Sequence, residues 1–499
     1  MRFYSFIKKP ENTLFIILVF IGCAITIGQF FFNRGFWFDE VLLGLNLVNL
    51  NFSGLLEPLR FNQAAPIGYL FIQKIIIHVF GTSEYSFRIL SLLGMLVSVP
   101  LLYKSVCRLS SSRLIGLLLC SMLCLNFPFV FYANEAKQYA FDVFFTSALF
   151  YFTVFIDVKS KKDLLKYGLL GAISVWMSNV AVVSLLVFGL YYLFMSRRTR
   201  NYRIILPIVF WIISFITYYL LFINGHPTRE FMVVYWERFF LPSNLLDLNT
   251  RSSLKYIVKD VLYFTFSVKY TWQYYLHSFF LLLGLGYLVH MRKWRILLLL
   301  VSPIMVHAIL AMLQLYPLYQ RFIIDTLPFI YGIYSYGLFF VWKALKRVGT
   351  PLREVIVGIP ILTCCLWFTN FPIQREEVRD TFQFVDNAAT ETDEFYFFKD
   401  VTHFYSFYSP RLNNFNELNT TFILPNSRLS KLLRTGEQLN HDAWIFSASW
   451  HQPMDKVNLN KNFYKDFEYK IICVIIVNFL FMPFIINYLI FFIIIYINF

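Results

Sequence analysis

Residues 66–80 read PIGYLFIQKIIIHVF, and whether this run crosses a membrane decides how the whole chain is threaded. It is shorter than the roughly 20 residues that a bilayer core demands, and Gln73, Lys74 and His78 interrupt it. The basic loops downstream settle its reading. If the run crossed, every later Lys/Arg-rich loop would face outward, against the positive-inside rule. If it lies in the interface, one assignment satisfies them all. Lys104, Arg108 and Arg113 then share the cytoplasmic side with Lys159, Lys161, Lys162 and Lys166. Arg197, Arg198, Arg200 and Arg203 join them, as do Arg292, Lys293 and Arg295, and Lys343, Lys346 and Arg347.

Composition agrees with a chain made mostly of spans. Of 499 residues, 58% are hydrophobic and 15% charged, where soluble domains carry about a quarter charged. The net charge of +15 is therefore read as inner-loop Lys and Arg, and no nucleic-acid partner is expected. The seven cysteines lie in or beside apolar runs with no metal-type or disulfide spacing.

The expected fold is an all-α polytopic membrane protein of about 11 transmembrane helices. The first span, 13–32, follows a basic start with no cleavage site after it, and is read as retained. Others fall near 85–104, 114–131, 139–157, 204–223, 273–290 and 354–371, with one pair meeting near Asn179 and another turning at 316–321. Residues 1–371 form the membrane domain, and 33–84 becomes one outer loop carrying interfacial helices. Residues 372–470 are more polar and read as a small extracytoplasmic α/β C-terminal domain, helical over 375–389 and strand-like over 395–399 and 443–448. Residues 471–499 are long enough for a further span, though their flanking lysines lie on the wrong side for one.

This threading puts two polar stretches on one outer face. GFWFDEVLLGLNL (35–47) carries Asp39 and Glu40, and FYANEAKQYAFD (131–142) carries Glu135, Lys137, Tyr139 and Asp142. Carboxylates beside a membrane are costly to desolvate and so invite a functional reading; helix capping is the alternative. Positions 135, 139 and 142 would share one helical face. Arg88 and Arg321 stand at outer span ends, suited to bidentate phosphate contact or to snorkelling. His226, His277 and His307 are isolated. No Gly-rich phosphate loop, HExxH or nucleophile elbow is present.

The run WFDE, then NQAAPIGYLFIQKIIIHVFGTSEYSFRILSLLGM, then FYANEAKQYAFDVFF resembles the GT-C glycosyltransferases in order and spacing. The protein O-mannosyltransferase-like and aminoarabinose-transferase-like integral membrane enzymes of bacteria are the nearest in pattern. The resemblance covers about residues 10–200, with an echo in YQRFIIDTLPFIY. It implies transfer of a sugar from a polyprenyl-phosphate donor to a glycan, lipid or protein acceptor, at the extracytoplasmic face of the inner (plasma) membrane. Asp39 would take the essential acidic position as general base, with Glu40 beside it, and Glu40 and Glu135 would complete the catalytic set. Glu135, Lys137 and Tyr139 match a Glu-x-Arg-x-Tyr-like pattern, with Lys where Arg is usual. Arg88, Lys137 and Arg321 would meet the donor phosphate, and Gln63, Tyr139 and Asp142 the substrate. Gln63 lies in Asn62-Gln63-Ala64-Ala65, where the family often has a basic or His residue before its prolines. No cofactor is firmly implied, and a divalent metal is left open. A lipid or polysaccharide transporter, or a non-catalytic subunit of a glycan-assembly complex, is the alternative; a transporter would need repeats and midplane charges, neither of which is clear.

Overall fold

A 20-residue apolar helix rises about 30 Å, the thickness of a bilayer core, and the chain opens with one: α1 (Thr13–Phe32). The computed structural model describes residues 12–227, 229–242, 248–375, 378–388, 394–398, 401–411, 420–423, 443–447 and 471–473. After α1 the chain turns through Asn33 in a left-handed conformation and enters α2 (Phe38–Asn49) and α3 (Ile67–Phe80). At 14 residues, α3 reaches about 21 Å and is too short to cross alone.

The next helices are α4 (Glu84–Ser110), α5 (Arg113–Cys124), α6 (Phe127–Ala133) and α7 (Tyr139–Phe155). The pair α5 and α6 bends by 63°; Pro128 at the start of α6 fits a helix beginning and not one continuing. Then come α8 (Lys161–Met177), α9 (Ala181–Thr199), α10 (Ile205–Tyr218), α11 (Arg229–Tyr235), α12 (Leu248–Phe266), α13 (Thr271–His290) and α14 (Trp294–Met312). A 3-10 segment, Gln320–Thr326, leads into α15 (Leu327–Ala344), and α16 (Thr350–Thr363) follows.

The chain is an integral membrane protein. Among the described residues six helices are long and apolar enough to cross a membrane, or seven with the bent pair. The expected count of about 11 is larger because it also took in α7, α8, α13 and α16, which fall short in length or apolarity.

Packing is tightest where side chains are absent. Helices α13 and α15 cross at Gly284 and Gly337, where an added Cβ would stand 2.0 Å from the Ile333 carbonyl oxygen and 2.2 Å from that of Phe280. Small residues are what let two membrane helices approach backbone to backbone. Most of α15 is buried, with Tyr331 and Tyr334 inaccessible at the centre. Helix α4 packs along α7, and α8 along α10.

The polar tail brings α17 (Val378–Ala388), α18 (Thr402–Tyr408) and a parallel sheet of four strands in the order β2-β1-β3-β4. These are β1 (Glu394–Phe398), β2 (Thr420–Ile423), β3 (Ala443–Ser447) and β4 (Ile471–Cys473). The further span read over 471–499 lies outside the described residues except for its first three, which form β4 and not helix. The tail is stitched to the membrane helices. Gln29 exchanges two hydrogen bonds with the backbone of Ile373, and Arg379 pairs with Glu84 at 3.5 Å. The Tyr408 hydroxyl donates to Glu84 and accepts from the Phe36 backbone N–H.

Candidate active site

Adjacent residues at a helix start point in different directions, and this separates Asp39 from Glu40. Glu40 is inaccessible. Its Oε1 accepts from Arg88 Nε at 3.1 Å and the Ala136 N–H at 2.7 Å; its Oε2 accepts from Arg88 Nη2 at 2.8 Å and the Trp37 N–H at 3.2 Å. Arg34 stands 3.8 Å away. Burial alone would raise the Glu40 pKa, but Arg88, Arg34 and these hydrogen bonds outweigh it and hold the carboxyl below its ordinary range. Burial draws Arg34 down to about 10.

Arg88 is committed in the same knot. Its remaining N–H groups reach the carbonyls of Arg34 at 2.5 Å and Gly35 at 3.2 Å. The sequence placed Glu40 among the catalytic residues and Arg88 at the donor phosphate. Neither borders the cavity described below. A buried carboxylate strands several kcal/mol unless a cation reaches it, and Arg88 is that cation. Together they lock α2, α4 and the 134–138 loop.

Asp39 turns the other way. Its Oδ2 accepts from Arg321 Nη1 at 2.5 Å, and its side chain keeps 20% of its surface. Burial would raise its pKa, yet Lys137, Arg321 and Arg375 together keep it below the usual carboxylate range. The pair joins α2 to the segment before α15, across 282 positions of sequence. Arg321 sits in a cage of rings, with Trp37, Tyr139, Trp236, Tyr319 and Phe322 centred 5.3–6.0 Å from its guanidinium. Among the described residues its Nε has no hydrogen-bond partner.

A cavity of about 620 Å³ opens beside this pair, within the size range of small-molecule sites. Trp37, Phe131, Tyr132, Tyr263, Tyr319 and Trp367 supply aromatic walls. Arg321, Arg375 and Lys269 supply positive charge, and among the described residues Glu135 is the one carboxylate on its lining. Glu135 Oε1 accepts from the Trp37 indole N–H at 3.0 Å, while Oε2 is buried without a partner among the described residues. Burial, and then the negative charge of Glu40, push its pKa up to about 7. The Arg375 guanidinium carbon lies over the Trp37 ring, 3.2 Å from its centre. Lys269 donates to Thr369 at 3.3 Å.

The other expected residues do not line the cavity. Lys137 is buried, with its pKa lowered by burial, and donates to Gln63. Tyr139 packs under Arg321. Asp142 lies deeper, hydrogen-bonded to Ser178 Oγ at 2.5 Å. Glu135 does not share a helical face with Tyr139 and Asp142, because α7 starts at Tyr139 and Glu135 belongs to the preceding loop. Of the isolated histidines, His307 pairs with Asp325 at 3.0 Å and His277 bonds Tyr334 at 2.9 Å. Among the described residues no three His, Cys, Asp or Glu side chains are grouped to hold a metal ion.

Sequence reasoning missed Arg375, Lys269 and the aromatic lining. Arg375 lies in a polar tail and Lys269 in the short turn between α12 and α13, where a lone cation carries no signal. Trp37 was visible in WFDE, but nothing in the spacing showed that its indole orients Glu135.

No protein-family profile matches the chain, and no curated protein matches it in sequence. Among solved structures it is similar to crystal structures of ArnT from Cupriavidus metallidurans. The form bound to undecaprenyl phosphate is 11% identical, with a TM-score of 0.49 over 84% of this chain and 87% of that one. The apo form is 12% identical, with a TM-score of 0.47 over the same shares. Likeness at this level carries no weight for function, which rests on the site.

Proposed function

We propose that this protein is an inverting glycosyltransferase that moves a sugar from a polyprenyl-phosphate donor to a glycan, lipid or protein acceptor at the outer face of a bacterial plasma membrane. The observation that carries the reading is one cavity lined by Glu135, whose Oε2 has no partner among the described residues, and by the cations Arg321, Arg375 and Lys269. A leaving phosphate needs cations. An attacking hydroxyl needs a base whose pKa lies near the working pH.

The acceptor oxygen attacks the anomeric carbon as the bond from that carbon to the phosphate oxygen breaks. The electron pair leaves with the phosphate, which Arg321 and Arg375 receive, and the hydroxyl proton passes to Glu135 Oε2. Asp39, expected from the resemblance to be the base, is assigned here to hold Arg321 in place, because Arg321 already occupies its Oδ2. Lys137 adds positive charge behind Asp39. Tyr139 supports Arg321, and Gln63 orients Lys137. The aromatic walls suit the faces of a sugar ring and an isoprenoid chain. The reading extends to about 11 spans with an extracytoplasmic α/β tail.

The test is to incubate the purified full-length protein with a panel of polyprenyl-phosphate sugars and candidate acceptors. Release of polyprenyl phosphate from at least one donor is expected. Intact donor across the panel, with protein folded and membrane-inserted, argues for the transporter or subunit reading.

A further inference from the structure

A second cavity, of about 390 Å³, lies at the far end of α4 from Arg88. Arg88 and Arg108 stand 20 positions apart on this helix, about 30 Å by helical rise, which is the thickness of a hydrocarbon core. Arg108, Arg292, Lys293 and Arg295 line the cavity with Leu109, Val154, Trp294 and Ile296. Among the described residues no carboxylate lines it and none of the four cations is in an ion pair. Arg295 does lie over the Tyr191 ring at 5.5 Å. Asp157, just beyond α7, accepts from the Lys159 N–H in its own turn.

The positive-inside rule accounts for cations in this loop. It does not require them to converge from separate elements on one concavity, where they repel one another. The turn itself is strained to hold one of them. Helix α13 ends in a Schellman arrangement: the Arg292 N–H bonds the Val289 carbonyl and the Lys293 N–H bonds that of Leu288, each at 2.9 Å. The left-handed position of this motif, φ +52°, is filled by Arg292, where glycine is the unstrained choice.

We propose that this cavity binds a phosphate-bearing anion, and that the anion is the headgroup of an acidic phospholipid in the inner leaflet. The lipid source is favoured over free phosphate because apolar surface adjoins the cations: Trp294 is 58% exposed and Leu298 46%, an aromatic and an aliphatic chain at headgroup depth.

The experiment is native mass spectrometry of the full-length protein in detergent, titrated with phosphatidylglycerol or with phosphatidylcholine of the same acyl chains. The wild type should retain phosphatidylglycerol in preference. Each charge removed should lower that retention about fivefold, in Arg108→Gln and in Arg292→Gly. The glycine variant relaxes the turn, so it should unfold no earlier than wild type, and its lost retention would not be misfolding. A large excess of inorganic phosphate should leave the lipid bound; displacement would assign the site to a soluble phosphate and overturn the lipid reading. Equal retention of the two lipids, or unchanged retention in both variants, would overturn the site.

Discussion

At neutral pH a buried carboxylate must find cations or take up a proton, and Glu40, Asp39 and Glu135 divide on that line. Glu40, held by Arg88, is structural. Removing one partner of a buried pair costs about 3–5 kcal/mol, so Arg88→Gln should lower the thermal unfolding midpoint in detergent well beyond any surface substitution. The pH sign follows from the direction of the shift. Glu40 has a folded-state pKa below its ordinary 4.5, so its contribution is whole above that value and is lost as pH falls through the folded value. Glu135 behaves oppositely, with a pKa of about 7. As a base it works deprotonated, so the rate of transfer should rise with pH through about 7. In Glu135→Gln that rise should vanish and the rate fall by about 10²–10⁴. A Glu135→Gln enzyme with the wild-type pH profile would remove Glu135 from the chemistry.

Helix packing makes its own prediction at the crossing of α13 and α15. An Ala at Gly337 would place a Cβ 2.2 Å from the Phe280 carbonyl oxygen. Backbone cannot yield as a side-chain tip does, so Gly337→Ala should destabilise by at least the 1–3 kcal/mol or so typical of overpacking, read from unfolding in detergent. A neutral result would mean the two helices are further apart than described. The first span, the start of α4 and the turns on either side of α9 and α14 were legible in the sequence because apolar length and flanking charge mark them. The 63° bend between α5 and α6 was not, since Pro128 reads equally as a kink within one span. Asp39, Arg321 and Glu135 were legible as charges gathered on one side of the membrane domain. Their pairing was not: whether Arg321 or Arg88 meets Asp39 depends on side-chain direction across 282 positions, which no local pattern encodes.

For the molecule as a whole, the account needs the cavity and the loop bearing α2 and α3 on the outer side of the membrane. Thr82 is exposed in the turn between α3 and α4. A Thr82→Cys protein should react with an impermeant thiol reagent from outside intact cells. Labelling only after the inner face is opened would reverse the threading read from residues 66–80 and place the cavity in the cytoplasm. The central claim is that Glu135 and Arg321 serve opposite ends of one transfer step. It is tested most directly by single-turnover release of polyprenyl phosphate from the donor identified by the panel, in wild type, Glu135→Gln and Arg321→Gln, each verified as folded. The account predicts release by the wild type, slowed release in Glu135→Gln with donor affinity retained, and weakened donor affinity in Arg321→Gln. Release by both variants at the wild-type rate and donor affinity would contradict it.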